Sequence, residues 1–149
     1  MRFESGGFPL VVPQSPLQLW DWDASRSRMV FRRRTQYGIR YEDDRVLDVC
    51  FRDVRTAMIE PYVPGAVVRP LDVPPPGEAP VPGHRRAGYF SITGVSALHG
   101  GAADHWVLCG SVMWAWLDIG WDDPSPFTND ALMDSLDTVA WRDRVHPPA

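Results

Sequence analysis

The sequence predicts an α+β protein: a mostly antiparallel β-sheet with one C-terminal α-helix packed on it. Three observations predict it. Apolar residues alternate with period two over several short stretches, the pattern of half-buried strands. Fifteen prolines in 149 residues interrupt the chain before long helices can grow. Only after Phe127 do apolar residues recur at helical spacing beside a good cap.

Taken in order, Phe8 to Val12 reads as a short strand between the flexible pair Gly6-Gly7 and the stop at Pro13. Pro9 restricts it to a sheet edge or a strand start. Ser15 as N-cap and Pro16 as first helical residue predict a helical turn through Trp20. The acidic-aromatic Asp21-Trp22-Asp23 follows. Met29 to Arg34 and Tyr37 to Tyr41 read as strands, Glu42-Asp43-Asp44 as a turn, and Leu47, Val49 and Phe51 alternate with Asp48, Cys50 and Arg52. A helix competes with this hairpin, because Leu47, Cys50, Val54, Ala57 and Met58 also fall at helical spacing; the alternation favours the hairpin.

Ala66-Val67-Val68 reads as a short strand. Asp72 to Gly83 is too rich in proline for a helix or a central strand and reads as an extended, solvated loop. Tyr89 to Val95 is a strand and Leu98 to Gly101 a turn. Trp106 to Ile119 is one bent strand, or two strands kinked near Gly110-Ser111. Met113, Ala115 and Leu117 lie on one of its faces and Val112, Trp114 and Trp116 on the other, so both faces are covered. Thr128 or Asn129 caps the C-terminal helix, Asp130 sits in its first turn, and Leu132, Leu136, Val139, Ala140 and Trp141 form its apolar stripe. Pro147 and Pro148 end it. The whole, residues 1–149, reads as a single domain with a proline-rich surface loop at 72–83.

Composition narrows the function classes. The net charge of −4 argues against a phosphate-backbone binder and is compatible with a basic partner, though ordinary solubility explains it equally well. The run Arg32-Arg33-Arg34 therefore reads as one decorated part of the hairpin. Arg32 and Arg34 share a face, and exposed pairs with Asp48 or Glu42 contribute only about 0.2–1 kcal/mol each. No signal peptide or membrane span is evident, so a soluble, cytoplasmic protein is expected, without direct nucleic-acid or membrane partners. Cys50 and Cys109 sit in apolar surroundings outside any CxxC and read as reduced, buried thiols, with a disulfide between them as the alternative.

No cofactor fingerprint appears: there is no P-loop, no GxGxxG and no GxSxG elbow. Of the histidines at 84, 99, 105 and 146, His99 and His105 share a loop with Asp104, which gives a small metal-dependent enzyme as one alternative. The spacing matches no helical metal pair, and a solvated loop is the plainer reading. A structural or adaptor subunit reaching a partner through the proline-rich loop is another alternative.

Acids and aromatics interleave in two places, Leu19-Trp20-Asp21-Trp22-Asp23 and Leu117-Asp118-Ile119-Gly120-Trp121-Asp122-Asp123. Tryptophans that anchor and carboxylates that steer are what a face for a basic protein needs. The candidate partner-binding residues are Trp20, Asp21, Trp22, Asp23, Asp118, Trp121, Asp122 and Asp123. The plainer alternative makes these Trp residues core-edge and these Asp residues turn-formers.

The opening Phe3-Glu4-Ser5-Gly6-Gly7-Phe8-Pro9-Leu10-Val11-Val12-Pro13, with Leu17 to Trp20, resembles bacterial toxin-immunity proteins of the immunity protein 21 family. The match covers about twenty residues, with Phe8 inserted where the family runs Gly-Gly-Pro, and has no clear counterpart over Tyr37 to Pro82. The resemblance implies a non-catalytic cytoplasmic protein that neutralises a cognate toxin by stoichiometric occlusion. If that toxin is a basic, nuclease-like domain, Asp21, Asp23, Asp118, Asp122 and Asp123 could imitate phosphates. The resemblance identifies no binding residues.

Overall fold

In a computed structural model, residues 3–4, 7–82, 87–128 and 140–142 are described. Their strands are β1 (Phe3–Glu4), β2 (Leu10–Val11), β3 (Leu17–Asp23), β4 (Arg28–Arg33), β5 (Val46–Arg52), β6 (Thr56–Met58), β7 (Tyr62–Val63), β8 (Val67–Pro70), β9 (Gly88–Val95), β10 (Ala102–Cys109), β11 (Ser111–Leu117) and β12 (Ala140–Arg142). The first sheet runs β1-β11-β5-β4-β3-β7, with β12 also on β11; the second runs β2-β8-β9-β10-β6. All the pairings are antiparallel.

The antiparallel sheet is as expected, but the α+β class is overturned. Among the described residues no helix reaches seven residues; two short 3-10 turns stand at Ala24–Arg26 and Pro126–Thr128. Most of the expected C-terminal helix, 129–139, lies outside the described residues, as do His84 and His146. Ala140 and Trp141, assigned to its apolar stripe, are instead extended and pair with Trp114 and Met113. A four-residue apolar repeat with a good cap does not by itself outweigh an unpaired sheet edge that offers backbone hydrogen bonds. No helix among the described residues is long and apolar enough to cross a membrane.

Two local expectations are also corrected. Leu17 to Trp20 is strand, not a helical turn, and β3 pairs with β4 through a bulge between Leu19 and Asp21. The hairpin of β4 and β5 exists, so the competing helix over 47–58 does not form. Tyr37 to Tyr41, however, contributes no strand; the connection 34–45 is irregular. Gly38 has φ +82°, a left-handed turn conformation that interrupts the alternation read from Tyr37, Ile39 and Tyr41.

The sheets pack face to face around a shared core. Phe31, Leu47, Val49, Phe51 and Val112 from the first meet Val68, Phe90, Ile92, Val107 and Cys109 from the second. Phe51 reaches across: its ring lies 6.0 Å from Phe31 and 6.5 Å from Phe90, both edge-on. The apolar run from Trp106 crosses between sheets, because β10 belongs to one and β11 to the other. The kink expected at Gly110-Ser111 is that crossing. Gly110 donates to the Arg52 carbonyl at 2.9 Å, and a Cβ there would lie 2.8 Å from the Cβ of Asp53. Only glycine lets the chain pass this close.

The outer face of the first sheet carries a second core of Val30, Val46, Cys50, Met113, Ala115, Leu117 and Phe127, with Trp20 and Ile119 against it. β11 is thus covered on both faces, as its sequence requires. Both cysteines are buried free thiols. Burial pushes the Cys50 thiol up to about 12 and Cys109 higher still. An aromatic disulfide reagent at pH 8 is therefore expected to label neither until urea unfolds the chain, then both; rapid labelling of the folded protein would refute the packing.

Candidate partner-binding face

The alternation along β4, β5 and β11 puts Arg32, Asp48 and Ala115 side by side on that outer face, among residues with no solvent access. Arg32 and Asp48 are themselves fully buried. Their contact is bidentate: Nε donates to Oδ1 at 2.6 Å and Nη2 to Oδ2 at 2.8 Å. Nη1 donates to the carbonyls of Asp123 at 2.6 Å and Trp121 at 3.2 Å. The Trp20 ring stacks 4.2 Å from the guanidinium carbon. The expected Arg–Asp pairing is therefore present, but its expected exposure is wrong. It is the interior support of a flap formed by residues 118–128.

This support joins the two Trp–Asp segments. Arg32 holds Trp20 on one side and the backbone of Trp121 and Asp123 on the other. Arg34 repeats the link, 5.6 Å from the Trp20 ring and 5.2 Å from that of Trp121. Trp20 is half-buried, whereas Trp121 is 48% exposed. The side chain of Asp123 accepts from the Gly120 N–H at 2.7 Å and closes the flap's turn. Asp118 and Asp122 are exposed, with no hydrogen bond or ion pair among the described residues.

The β3 residues divide. Asp21 pairs with Val30 and lies on the outer side, toward the flap. Asp23 is a turn-former: it accepts from the N–H and Oγ of Ser25 and lies 3.6 Å from Arg28. The Ser25 hydroxyl above all, and Arg28 more weakly, hold its carboxyl below the usual carboxylate range. Trp22 pairs with Met29, a residue of the inter-sheet core, so it projects from the other side of the sheet and is not gathered with Trp20 and Trp121. It is nonetheless 48% exposed at the rim. Beyond the β7 contact at Leu17–Gln18 and the Leu19 N–H bond to Pro61, no described residue pairs with this side of β3, so Trp20 to Asp23 bring aromatics and acids to a strand edge.

Arg33, facing the inter-sheet side, is fully buried between the rings of Tyr41 at 4.4 Å and Trp116 at 5.3 Å. Its Nη1 donates to the carbonyls of Asp43 and Arg45. Burial pulls its pKa down, against the pull of Tyr41, Asp43 and Asp44. The basic run is thus divided between two buried sites and a stacking bridge, and none of it forms a surface for phosphates.

The His99–His105 segment is not a single loop. His99 stays in the turn, where its Nδ1 accepts from the Gly101 N–H. Asp104 and His105 are on β10, with side chains on opposite faces. His105 Nε2 lies 2.7 Å from Oε2 of Glu60, close enough for an ion pair though not aligned as a straight hydrogen bond. Burial raises the Glu60 pKa, but Ser96, the Leu98 N–H and His105 together draw it below its usual value. Among the described residues, no three His, Cys, Asp or Glu side chains are placed to hold one metal ion.

Sequence reasoning missed Arg32, Asp48 and Arg34 as part of this face. The signal was the carboxylate of Asp48 inside the apolar run Val46 to Phe51, where only a partner of opposite charge makes burial tolerable. Neither family models, nor curated proteins, nor solved structures give a match to this chain.

Proposed function

We propose that this chain is a non-catalytic binding protein that neutralises a cognate protein toxin by occluding it, one to one. The observation that carries the reading is the junction of Trp20, from the first acidic-aromatic segment, with the flap of the second on one side of the first sheet. Trp121, with Asp118 and Asp122, which have no ion pair among the described residues, projects from a flap fixed from beneath by Arg32, next to β3. A rigid support lowers the ordering cost of binding and leaves exposed aromatics free to anchor. The carboxylates favour a basic partner, such as a nuclease-like domain. The resemblance of the N-terminal segment to toxin-immunity proteins supports a toxin as that partner.

Co-expression with the toxin encoded beside its gene is expected to restore growth, and the two proteins to co-purify in equal amounts. Trp121→Ala is expected to weaken the complex about thirtyfold or more. Asp118→Asn with Asp122→Asn is expected mainly to slow association and flatten its salt dependence. If the protein neither rescues growth nor co-purifies with the neighbour, the reading fails.

A further inference from the structure

The outer face of the second sheet carries a separate cavity. Across four strands, Met58, Trp106, Ser91 and Arg69 stand in register, and Thr93 and Asp104 form the adjacent row. Residues 71–76 of the proline-rich segment run along them and wall one side of an open cleft of about 630 Å³, within the size range of small-molecule sites. The segment is therefore a strap and not a free loop. Leu71 N–H donates to the Tyr89 carbonyl at 2.8 Å, Tyr89 Oη donates to the Ala79 carbonyl at 2.9 Å, and Pro75 is buried. Three consecutive prolines from Pro74 to Pro76 stiffen it.

Three polar groups of this cavity, Arg69, Asp104 and Ser91, are unmatched among the described residues, whereas His105 at its margin pairs with Glu60. Arg69 and Asp104 are exposed, and neither makes an ion pair or hydrogen bond among the described residues. Ser91 is 7% exposed, and its Oγ, on the floor between Trp106 and Arg69, has no hydrogen-bond partner among the described residues. A buried hydroxyl without a partner costs folding energy that a ligand could recover. Strand spacing puts the Arg69 and Asp104 Cα atoms on the order of 12 Å apart. The two side chains can span most of that distance, leaving room for one small charged head group between them.

We propose that the cavity binds a small zwitterion with an apolar body, an aromatic or aliphatic α-amino acid. Arg69 takes the carboxylate and Asp104 the ammonium group. The side chain lies between Trp106 and the proline strap, above the Ser91 hydroxyl of the floor. This assignment is independent of toxin binding on the first sheet.

Titration calorimetry with L-phenylalanine and L-leucine is expected to show saturable one-to-one binding of at least one. 3-Phenylpropionate, which lacks the ammonium group, and phenethylamine, which lacks the carboxylate, are each expected to bind at least about tenfold more weakly than L-phenylalanine if that is the amino acid bound. Isocaproate and isoamylamine serve the same purpose for L-leucine. Arg69→Gln and Asp104→Asn are each expected to weaken binding about tenfold without moving the melting temperature, because both side chains are exposed. Trp121→Ala should leave it unchanged. The proposal is overturned if neither amino acid binds, if either fragment binds as well as its parent, or if either variant retains full affinity.

Discussion

Asp48→Ala is expected to destabilise the fold by about 3–5 kcal/mol, a fall in melting temperature of roughly 6–20 °C. The substitution strands a guanidinium that has no solvent access. Arg32 would keep two carbonyls and the Trp20 ring, but would lose the only carboxylate within salt-bridge distance among the described residues. The desolvation penalty of the cation then stands without its largest compensation. Asp48→Asn, similar in shape but uncharged, should cost less. Arg32→Met with Asp48→Leu should recover most of the loss, since apolar residues of similar volume replace a buried pair at little net cost. Salt should barely change these differences, because the pair lies out of reach of ions. The flap gives a second readout: Arg32 holds the Trp121 and Asp123 carbonyls, so Asp48→Ala should also weaken binding of the proposed partner. Thermal melts of the four proteins test this directly. A melting temperature for Asp48→Ala within a degree or two of the parent would mean the pair is not buried as described.

Much of this architecture is legible in the sequence where the alternation is strong and both neighbours are strands. The two faces of Val112 to Leu117, the paired run Val46 to Arg52 and the edge position of Leu10–Val11 all follow from period-two patterning and one proline. The failures have physical causes. Ser15-Pro16 looks like a helix start, yet the next residues complete the first sheet, and tertiary pairing overrides a local cap. The stripe through Val139 and Ala140 reads as helix because a spacing rule cannot see the edge of β11 that Ala140 to Arg142 pairs with. The candidate face was half legible. Composition points to Trp121 and the acids, but the arginine that assembles them lies 89 and 91 positions from the residues it holds. Trp22 was misgrouped because a bulge at Trp20 changes which way the following side chains project.

Phe51→Ala is expected to cost about 3–5 kcal/mol, because its ring is the aromatic bridge between the two sheets. Phe51 has no solvent access and is flanked in register by Met29 and Val112. Its edges meet Phe31 of its own sheet and Phe90 of the facing one, and Phe90 in turn meets Phe8 at 5.2 Å. Truncation removes the apolar area, leaves a cavity between two sheets that cannot easily close, and breaks both edge contacts, each worth about 0.5–1.5 kcal/mol beyond burial. Phe51→Leu separates these effects: it refills most of the volume and loses the ring geometry, so about 1–2 kcal/mol is expected. Val11→Ala, at a residue 63% exposed on β2, is the control and should stay within about 0.5 kcal/mol. Urea denaturation of the three variants gives the midpoints and slopes. An unchanged slope with a shifted midpoint places the loss in the native core. If Phe51→Ala costs under about 1 kcal/mol, the two sheets do not depend on this ring for their packing, and the shared core must be held chiefly by the aliphatic residues around it.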